Sequence, residues 1–125
     1  MIVISNEEFL WRTGIDLEAK LEDQDISSEN MSNLHRTRWS NYVYDVIRVS
    51  STRPVIEDSK LTELQIETIK SCETDIGLFI FQYGDPKANG YYEGEANMQH
   101  QNLINDIKGR LQRVGLIRKS WGRRW

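Results

Sequence analysis

Cysteine and proline are scarce in this chain of 125 residues. Its one cysteine, Cys72, excludes an internal disulfide framework, and the two prolines, Pro54 and Pro86, leave long stretches in which helices can continue. No apolar run approaches the roughly 20 residues that a membrane-spanning helix needs. The polar residues after Met1–Ile4 are unlike the long apolar segment of a signal peptide. We therefore expect a soluble, intracellular protein that neither crosses nor binds a membrane.

Motifs of catalysis are nearly absent as well. The two histidines, His35 and His100, have no cysteine or carboxylate beside them at metal-ligand spacing. The glycines Gly84, Gly90 and Gly94 do not form a phosphate-binding pattern, because no strand-to-helix unit surrounds them. We expect a protein that is not an enzyme, with no catalytic residue, no metal and no cofactor.

What the sequence does contain is helical periodicity between clear breakers. A hydrophobic content of 38% and a charged content of 28% are typical of a foldable globular domain. The first helix is predicted over residues 6–13, where Ser5-x-x-Glu8 reads as a capping box, Phe9 and Leu10 point inward, and Gly14 ends the helix. Residues 15–26 are either a weak helix or an acidic connector.

The second helix is capped by Ser27 or Ser28 and is expected to end near Ser50 or Ser51. Arg36 and Arg38 are assigned mostly to a solvated face opposite Trp39. The apolar residues of this segment recur at three- and four-residue spacing, which predicts one buried face: Met31, Leu34, Trp39, Tyr42, Val43, Val46 and Ile47.

The third helix has the clearest signals. Thr62-x-x-Gln65 is a second capping box, and Gly84, followed by Asp85-Pro86, prevents continuation. Gly77 is expected to let another helix approach closely. The apolar face, on which Cys72 is interpreted as a small core residue, comprises Ile66, Ile69, Cys72, Ile76, Phe79, Ile80 and Tyr83.

Turn residues and a tyrosine pair, Tyr91-Tyr92, predict a protruding loop or short hairpin over residues 87–97. A last helix is predicted over residues 98–114, ended by Gly115, after which Leu116-Ile117 packs back onto the core. Its inward residues are Leu103, Ile104, Ile107, Leu111 and Val114. The predicted fold is mainly α, a small bundle of about four helices with a protruding loop and an extended C-terminal arm.

The charge distribution separates the end of the chain from the rest. Residues 108–125 carry seven Lys or Arg and no acid, so the other 107 residues must carry −10 to give the net charge of −3. Lys108, Arg110 and Arg113 belong to the polar face of the last helix. We divide the chain into a helical domain, 1–117, and an arm, 118–125.

Arginine and tryptophan are enriched where one protein surface anchors on another. The arm's tryptophans therefore favour docking into a protein cleft over contact with a phosphate backbone. The predicted partner-binding residues are Arg118, Lys119, Trp121, Arg123, Arg124 and Trp125, with Tyr91 and Tyr92 as a second candidate surface.

The order of these parts resembles the head-tail connector (adaptor) proteins of long-tailed bacteriophages, which form the ring below the portal. The central helix is similar in Thr62–Lys70, in Cys72, in Phe79–Tyr83 and in the ending Gly84-Asp85-Pro86. Three other segments are similar to the family's opening, second and final helices: Glu7-Glu8-Phe9-x-x-Arg12-Thr13-Gly14, Arg38-Trp39 through Val46-Ile47, and Leu111-x-x-x-Gly115-Leu116-Ile117-Arg118.

The resemblance implies a structural protein of the virion neck, assembled in the cytoplasm of the bacterial host. It implies a homo-oligomeric ring of about twelve copies with closed symmetry. The ring would bind the portal protein above and a stopper or tail-completion protein below, and DNA would pass through its channel without sequence-specific binding.

Two other readings of the residues stay open. One is a small nucleic-acid-binding regulatory protein, in which Arg36, Arg38 and the basic tail contact phosphates. The net acidic composition argues against it, because DNA-reading domains usually carry a strongly basic face. The other is an antitoxin-like or chaperone-like module that uses its tail as a partner-binding peptide.

Overall fold

The computed structural model of the chain describes residues 1–22, 28–51, 56–84 and 94–117. These residues form five α-helices and one short 3₁₀ helix, Asp58–Lys60, and no strand occurs in these ranges. The prediction of a mainly α, small helical bundle is confirmed. The α-helices are α1 (Asn6–Thr13), α2 (Leu17–Glu22), α3 (Ser28–Ser50), α4 (Glu63–Tyr83) and α5 (Gly94–Arg113).

The helix boundaries follow from local capping. The Ser5 hydroxyl accepts the Glu8 amide at the start of α1, and Gly14 ends the helix in the left-handed region, at φ +76°. At the start of α4, Thr62 and Gln65 form the predicted capping box, in which each side chain accepts the other residue's amide. The predicted ends of both helices, at Gly14 and Gly84, are confirmed.

Helices α3 and α4 approach each other closely at Gly77. A Cβ built on Gly77 would lie 2.9 Å from Cη2 of the fully buried Trp39, so a side chain at this position would meet the indole directly. The Trp39 ring also packs 4.9 Å from the Phe9 ring, measured between centroids. The prediction that Gly77 permits close helix approach is confirmed, because α3 approaches with its largest side chain.

The first residues of the chain pass between α3 and α4 and are held by polar side chains. The Ile2 amide donates to the Tyr44 hydroxyl at 3.0 Å, and the Ser40 hydroxyl donates to the Ile2 carbonyl at 2.5 Å. The terminal amino group of Met1 pairs with Asp58. Because Ile4 is fully buried, this segment is part of the core.

Helix α5 runs antiparallel to α4. The Gln65 amide group at the start of α4 donates to the Val114 carbonyl after the end of α5, and Phe79 near the end of α4 contacts His100. Helix α5 also packs against α3, so it contacts both of the other long helices. Two of its apolar residues, Ile107 and Leu111, are fully buried.

Several sequence-based expectations are corrected. Leu10 and Leu34 do not point inward; their exposed fractions are 44% and 57%. Helix α5 begins at Gly94 rather than near residue 98, so the end of the predicted 87–97 loop is helical. The undecided segment 15–26 contains helix α2, whose Leu17 and Leu21 are buried.

Candidate protein-binding surfaces

All eight residues predicted to bind partners lie outside the described part of the chain. Tyr91 and Tyr92 fall in the undescribed segment 85–93, and the six residues of the arm fall in 118–125. Their roles stay predictions. The described residues do show how the segment immediately before the arm packs against the bundle.

The base of the arm is packed into the bundle. Leu116 and Ile117 are only 6% and 5% exposed, and the Leu116 amide donates to the Leu111 carbonyl at 2.9 Å. The Gln65 side chain donates to the Val114 carbonyl, also at 2.9 Å. The prediction that Leu116-Ile117 packs back onto the core is confirmed, so the arm begins at a point that α4 and α5 hold in place.

Arg110 attaches the second half of α5 to α4. Its Nη2 lies 2.6 Å from a carboxylate oxygen of Asp75 and 2.7 Å from one of Asp106, and its Nη1 donates to the Ser71 hydroxyl at 3.1 Å. The neighbouring bases Lys108 and Arg113 are exposed. The three bases therefore differ in role, since Arg110 is committed to contacts within the bundle.

The fully buried Glu73 is a feature that the sequence analysis missed. Its Oε1 accepts the Ile4 amide at 2.8 Å. Burial raises the pKa of Glu73 to about 7, although the Ile4 amide favours the charged carboxylate. The only signal in the sequence was an acid next to the apolar stripe of α4, between Cys72 and Ile76.

Arg36 does not belong to a solvated face, so that expectation is wrong. Its Nη1 donates to the Ile4 carbonyl at 2.8 Å, and burial lowers the pKa of Arg36 below its ordinary value. Arg36 and Glu73 thus hold the carbonyl and the amide of the same residue. Both hydrogen bonds to Ile4 depend on the position of the N-terminal segment between α3 and α4. No local sequence pattern indicates that position.

Cys72 and His100 are placed by packing. Cys72 is fully buried, as predicted, and burial raises the pKa of its thiol to about 12, which disfavours the reactive thiolate. The His100 ring packs 5.5 Å from the Phe79 ring between centroids, and burial lowers the pKa of His100. In the described ranges, no three His, Cys, Asp or Glu side chains are grouped in a way that could hold a metal ion.

An open groove lies between the end of α3 and the middle of α5, from His100 to Lys108; we call it the α3/α5 groove. Its volume is about 290 Å³. Val49, in the last turn of α3, lies at this groove and is 86% exposed, although it is a β-branched apolar residue. The residues that line the groove are Tyr42, Asp45, Val46, Val49, Ser50, His100, Ile104 and Lys108.

The opposite side of the first half of α5 is also incompletely covered. A second groove, of about 370 Å³, lies between this half and α4, where Leu78, Phe79 and Leu103 contribute apolar surface. Met98, in the same half of α5, is 57% exposed. Apolar surface on both sides of this part of α5 is therefore only partly covered by the described elements.

No protein-family profile, no curated protein and no solved structure matches the chain. Of the helices that the structure describes, none combines the length and the apolar character needed to cross a membrane.

Proposed function

We propose that this protein is a structural adaptor in the neck of a long-tailed bacteriophage, with no enzymatic activity. Copies of the chain form a closed, symmetric ring of about twelve subunits, as the resemblance to the connector family implies. The ring docks on the portal protein and links the DNA-filled head to a stopper or tail-completion protein. DNA passes through the central channel without sequence-specific contacts.

The arrangement of helices supports this proposal together with the sequence resemblance. The short α1 ends at Gly14, the long α4 begins with a capping box and ends at Gly84, and α5 leads into the arm. These are the parts, in the same order, that carry the likeness to the connector family. A helical bundle is compatible with many functions. The order of the helices and their end signals therefore gives the adaptor proposal more support than the fold class does.

The observation that carries the proposal is the fixed base of the arm. Leu116 and Ile117 are buried, and Val114 is tied to Gln65, so the arm starts from a defined position on a rigid helical body. A segment with two tryptophans and four bases presented in this way is suited to insertion into a cleft of a neighbouring protein. In a ring, each copy would contribute one such contact, and the contacts would reinforce one another.

Truncation after Ile117 tests the proposal while leaving the buried Leu116 and Ile117 in place. We expect the truncated protein to keep its circular dichroism spectrum and melting transition but to lose binding to purified portal rings, measured by co-sedimentation and electron microscopy. A full-length double variant, Trp121→Ala with Trp125→Ala, should lose binding too. A matched variant that replaces Ser120 and Gly122 with alanine should retain it.

Portal binding by the truncated chain would contradict the proposal. Binding of the full chain to duplex DNA that weakens steeply with salt would instead favour the nucleic-acid regulator. That alternative has lost one of its phosphate contacts, because the Arg36 guanidinium donates to the Ile4 carbonyl inside the bundle.

A further inference from the structure

A basic groove lies where α1, α4 and the second half of α5 meet; we call it the α1/α4/α5 groove. Its volume is about 350 Å³. Three arginines, Arg12, Arg110 and Arg113, line it together with a single acid, Glu67. The lining is therefore net basic, although the chain as a whole carries a net charge of −3.

Arg110 forms a fixed wall of this groove. Its guanidinium is paired with Asp75 and Asp106, and its Nη1 donates to the Ser71 hydroxyl at 3.1 Å. A hydroxyl that accepts this hydrogen bond still has its own O–H to donate. Because Ser71 also lines the groove, the wall presents a hydrogen-bond donor to an anion held there.

Arg12 and Arg113 keep donors that the fold does not use. Arg12 donates from Nη2 to Glu67 at 2.5 Å, and its Nη1 has no acceptor within the described ranges. Arg113 is exposed, and no ion pair among the described residues includes it. A guanidinium has five N–H donors, so both arginines retain donors for a ligand that enters the groove.

The chemistry of the groove favours carboxylates. The guanidinium fork matches the two oxygens of a carboxylate, and Arg12 already holds one in the side chain of Glu67, which is 60% exposed. A continuous phosphate backbone fits less well, because Asp75 and Asp106 lie beside the groove and would repel successive phosphates. A volume of about 350 Å³ falls within the usual size of ligand clefts, about 300–1,000 Å³, so the groove has room for more than a single ion.

We propose that the α1/α4/α5 groove binds an acidic peptide segment of a partner protein, with Arg12 and Arg113 pairing with its carboxylates. The Ser71 hydroxyl donates a further hydrogen bond. This binding site goes beyond the proposed adaptor function and does not depend on it, because the isolated protein carries the whole site. In an adaptor, the groove adds a second contact beside the base of the arm, since Val114 also lines it.

Fluorescence anisotropy with a labelled hexaglutamate peptide tests the site in the full-length protein. Low ionic strength is used because salt screens exposed charges. Arg113→Gln removes an exposed charge from the groove and should weaken peptide binding about fivefold. The matched control is Lys108→Gln, which removes the same charge from an exposed position of α5 at the α3/α5 groove. It should weaken binding less than about twofold.

Glu67→Gln should have the opposite effect. Glu67 competes with the peptide for Arg12 and repels its carboxylates, so neutralising it should tighten hexaglutamate binding about threefold. Glu95→Gln, at an exposed position in the first turn of α5, is the matched control and should leave binding nearly unchanged. Loss of folding cannot produce the tightening, because an unfolded chain has no groove.

Two results would overturn the proposal. Equal weakening by Arg113→Gln and Lys108→Gln would mean that the peptide responds to net charge and not to the groove. Binding of single-stranded oligothymidylate that Arg113→Gln weakens as much as it weakens peptide binding would mean that the groove is a phosphate site. Neither result bears on portal binding, which the truncation after Ile117 measures separately.

Discussion

The two halves of α5 differ in how completely the bundle covers them. In the second half, Ile107 and Leu111 are fully buried, and Arg110 is held by Asp75, Asp106 and Ser71. In the first half and at the adjoining Ile104, burial is only partial: Leu103 and Ile104 are partly buried and Met98 is exposed. One groove lies between this half and α4, and the α3/α5 groove runs from His100 into the second half as far as Lys108. One helix therefore combines fully buried residues that stabilise the fold with residues that the described elements cover only partly.

Apolar residues contribute to folding or to binding, depending on whether the fold itself buries them. Apolar area that the chain buries within itself contributes to folding free energy, at about 25 cal/mol per Å². Apolar area that the fold leaves open contributes only when another segment or protein covers it. We infer that substitutions of apolar residues in the second half of α5 act mainly on stability, whereas those around the first half act mainly on binding.

The largest expected effect tests this inference directly. Leu111→Ala should lower the free energy of unfolding by about 2–5 kcal/mol, because it removes a fully buried side chain and leaves a cavity. Ile104→Ala should cost only about 1 kcal/mol, because part of that side chain is already in water. Urea denaturation monitored by circular dichroism measures both. Equal losses would mean that the two halves are equally packed.

A second test concerns a polar group in the closed part of the bundle. The pKa of Glu73 is about 7 in the fold, against an ordinary value of 4.5, so the folded protein holds this proton more tightly than the unfolded chain does. The stabilisation is complete below pH 4.5 and is lost as pH rises through 7, by at most about 3 kcal/mol.

Glu73→Gln should therefore be more stable than the parent protein above pH 7, and its advantage should disappear toward pH 4.5. Denaturation midpoints between pH 4.5 and 8 give the comparison. The matched control is Glu57→Gln, at an exposed position, which should follow the parent profile. Parallel profiles for Glu73→Gln and the parent would rule out a titrating Glu73.

The smallest expected effect compares two glycines within helices. Gly77→Ala should destabilise the protein by about 1–3 kcal/mol, because the new methyl group would lie 2.9 Å from the Trp39 ring. Gly109→Ala, in α5, meets nothing within 4 Å and should stabilise it by about 0.5–1 kcal/mol through helix propensity. Thermal melting resolves the opposite signs. A stabilising Gly77→Ala would mean that the Trp39 contact can relax.

Much of the secondary structure follows from signals that act over a few residues. The Ser5 and Thr62 caps and the stops at Gly14 and Gly84 were all predictable, because capping satisfies backbone groups within one helical turn. The start of α5 was placed four residues too late. The sequence there is polar and contains Gly94, so periodicity becomes detectable only further along the helix.

The burial of individual residues was less predictable. Leu10 and Leu34 fit the apolar periodicity of their helices, yet both are exposed, because no element in the described ranges extends over those positions. Arg36 and Glu73 are charged residues, yet each forms a hydrogen bond with the backbone of the buried Ile4. Periodicity identifies a face, but the width of the buried stripe depends on which neighbours pack against it.

Sequence patterns predicted α1, α3, α4 and α5, the stops at Gly14 and Gly84, the close approach at Gly77 and the separation of an acidic body from a basic, tryptophan-bearing arm. Each of these depends on local backbone chemistry or on composition, which the order of residues fixes directly. Long-range contacts, by contrast, hold the first residues between α3 and α4 and bury Glu73 beneath them, and in the described ranges they cover Ile107 and Leu111 fully but Leu103 and Ile104 only partly. These features depend on contacts between residues far apart in the chain, whose geometry no short pattern encodes.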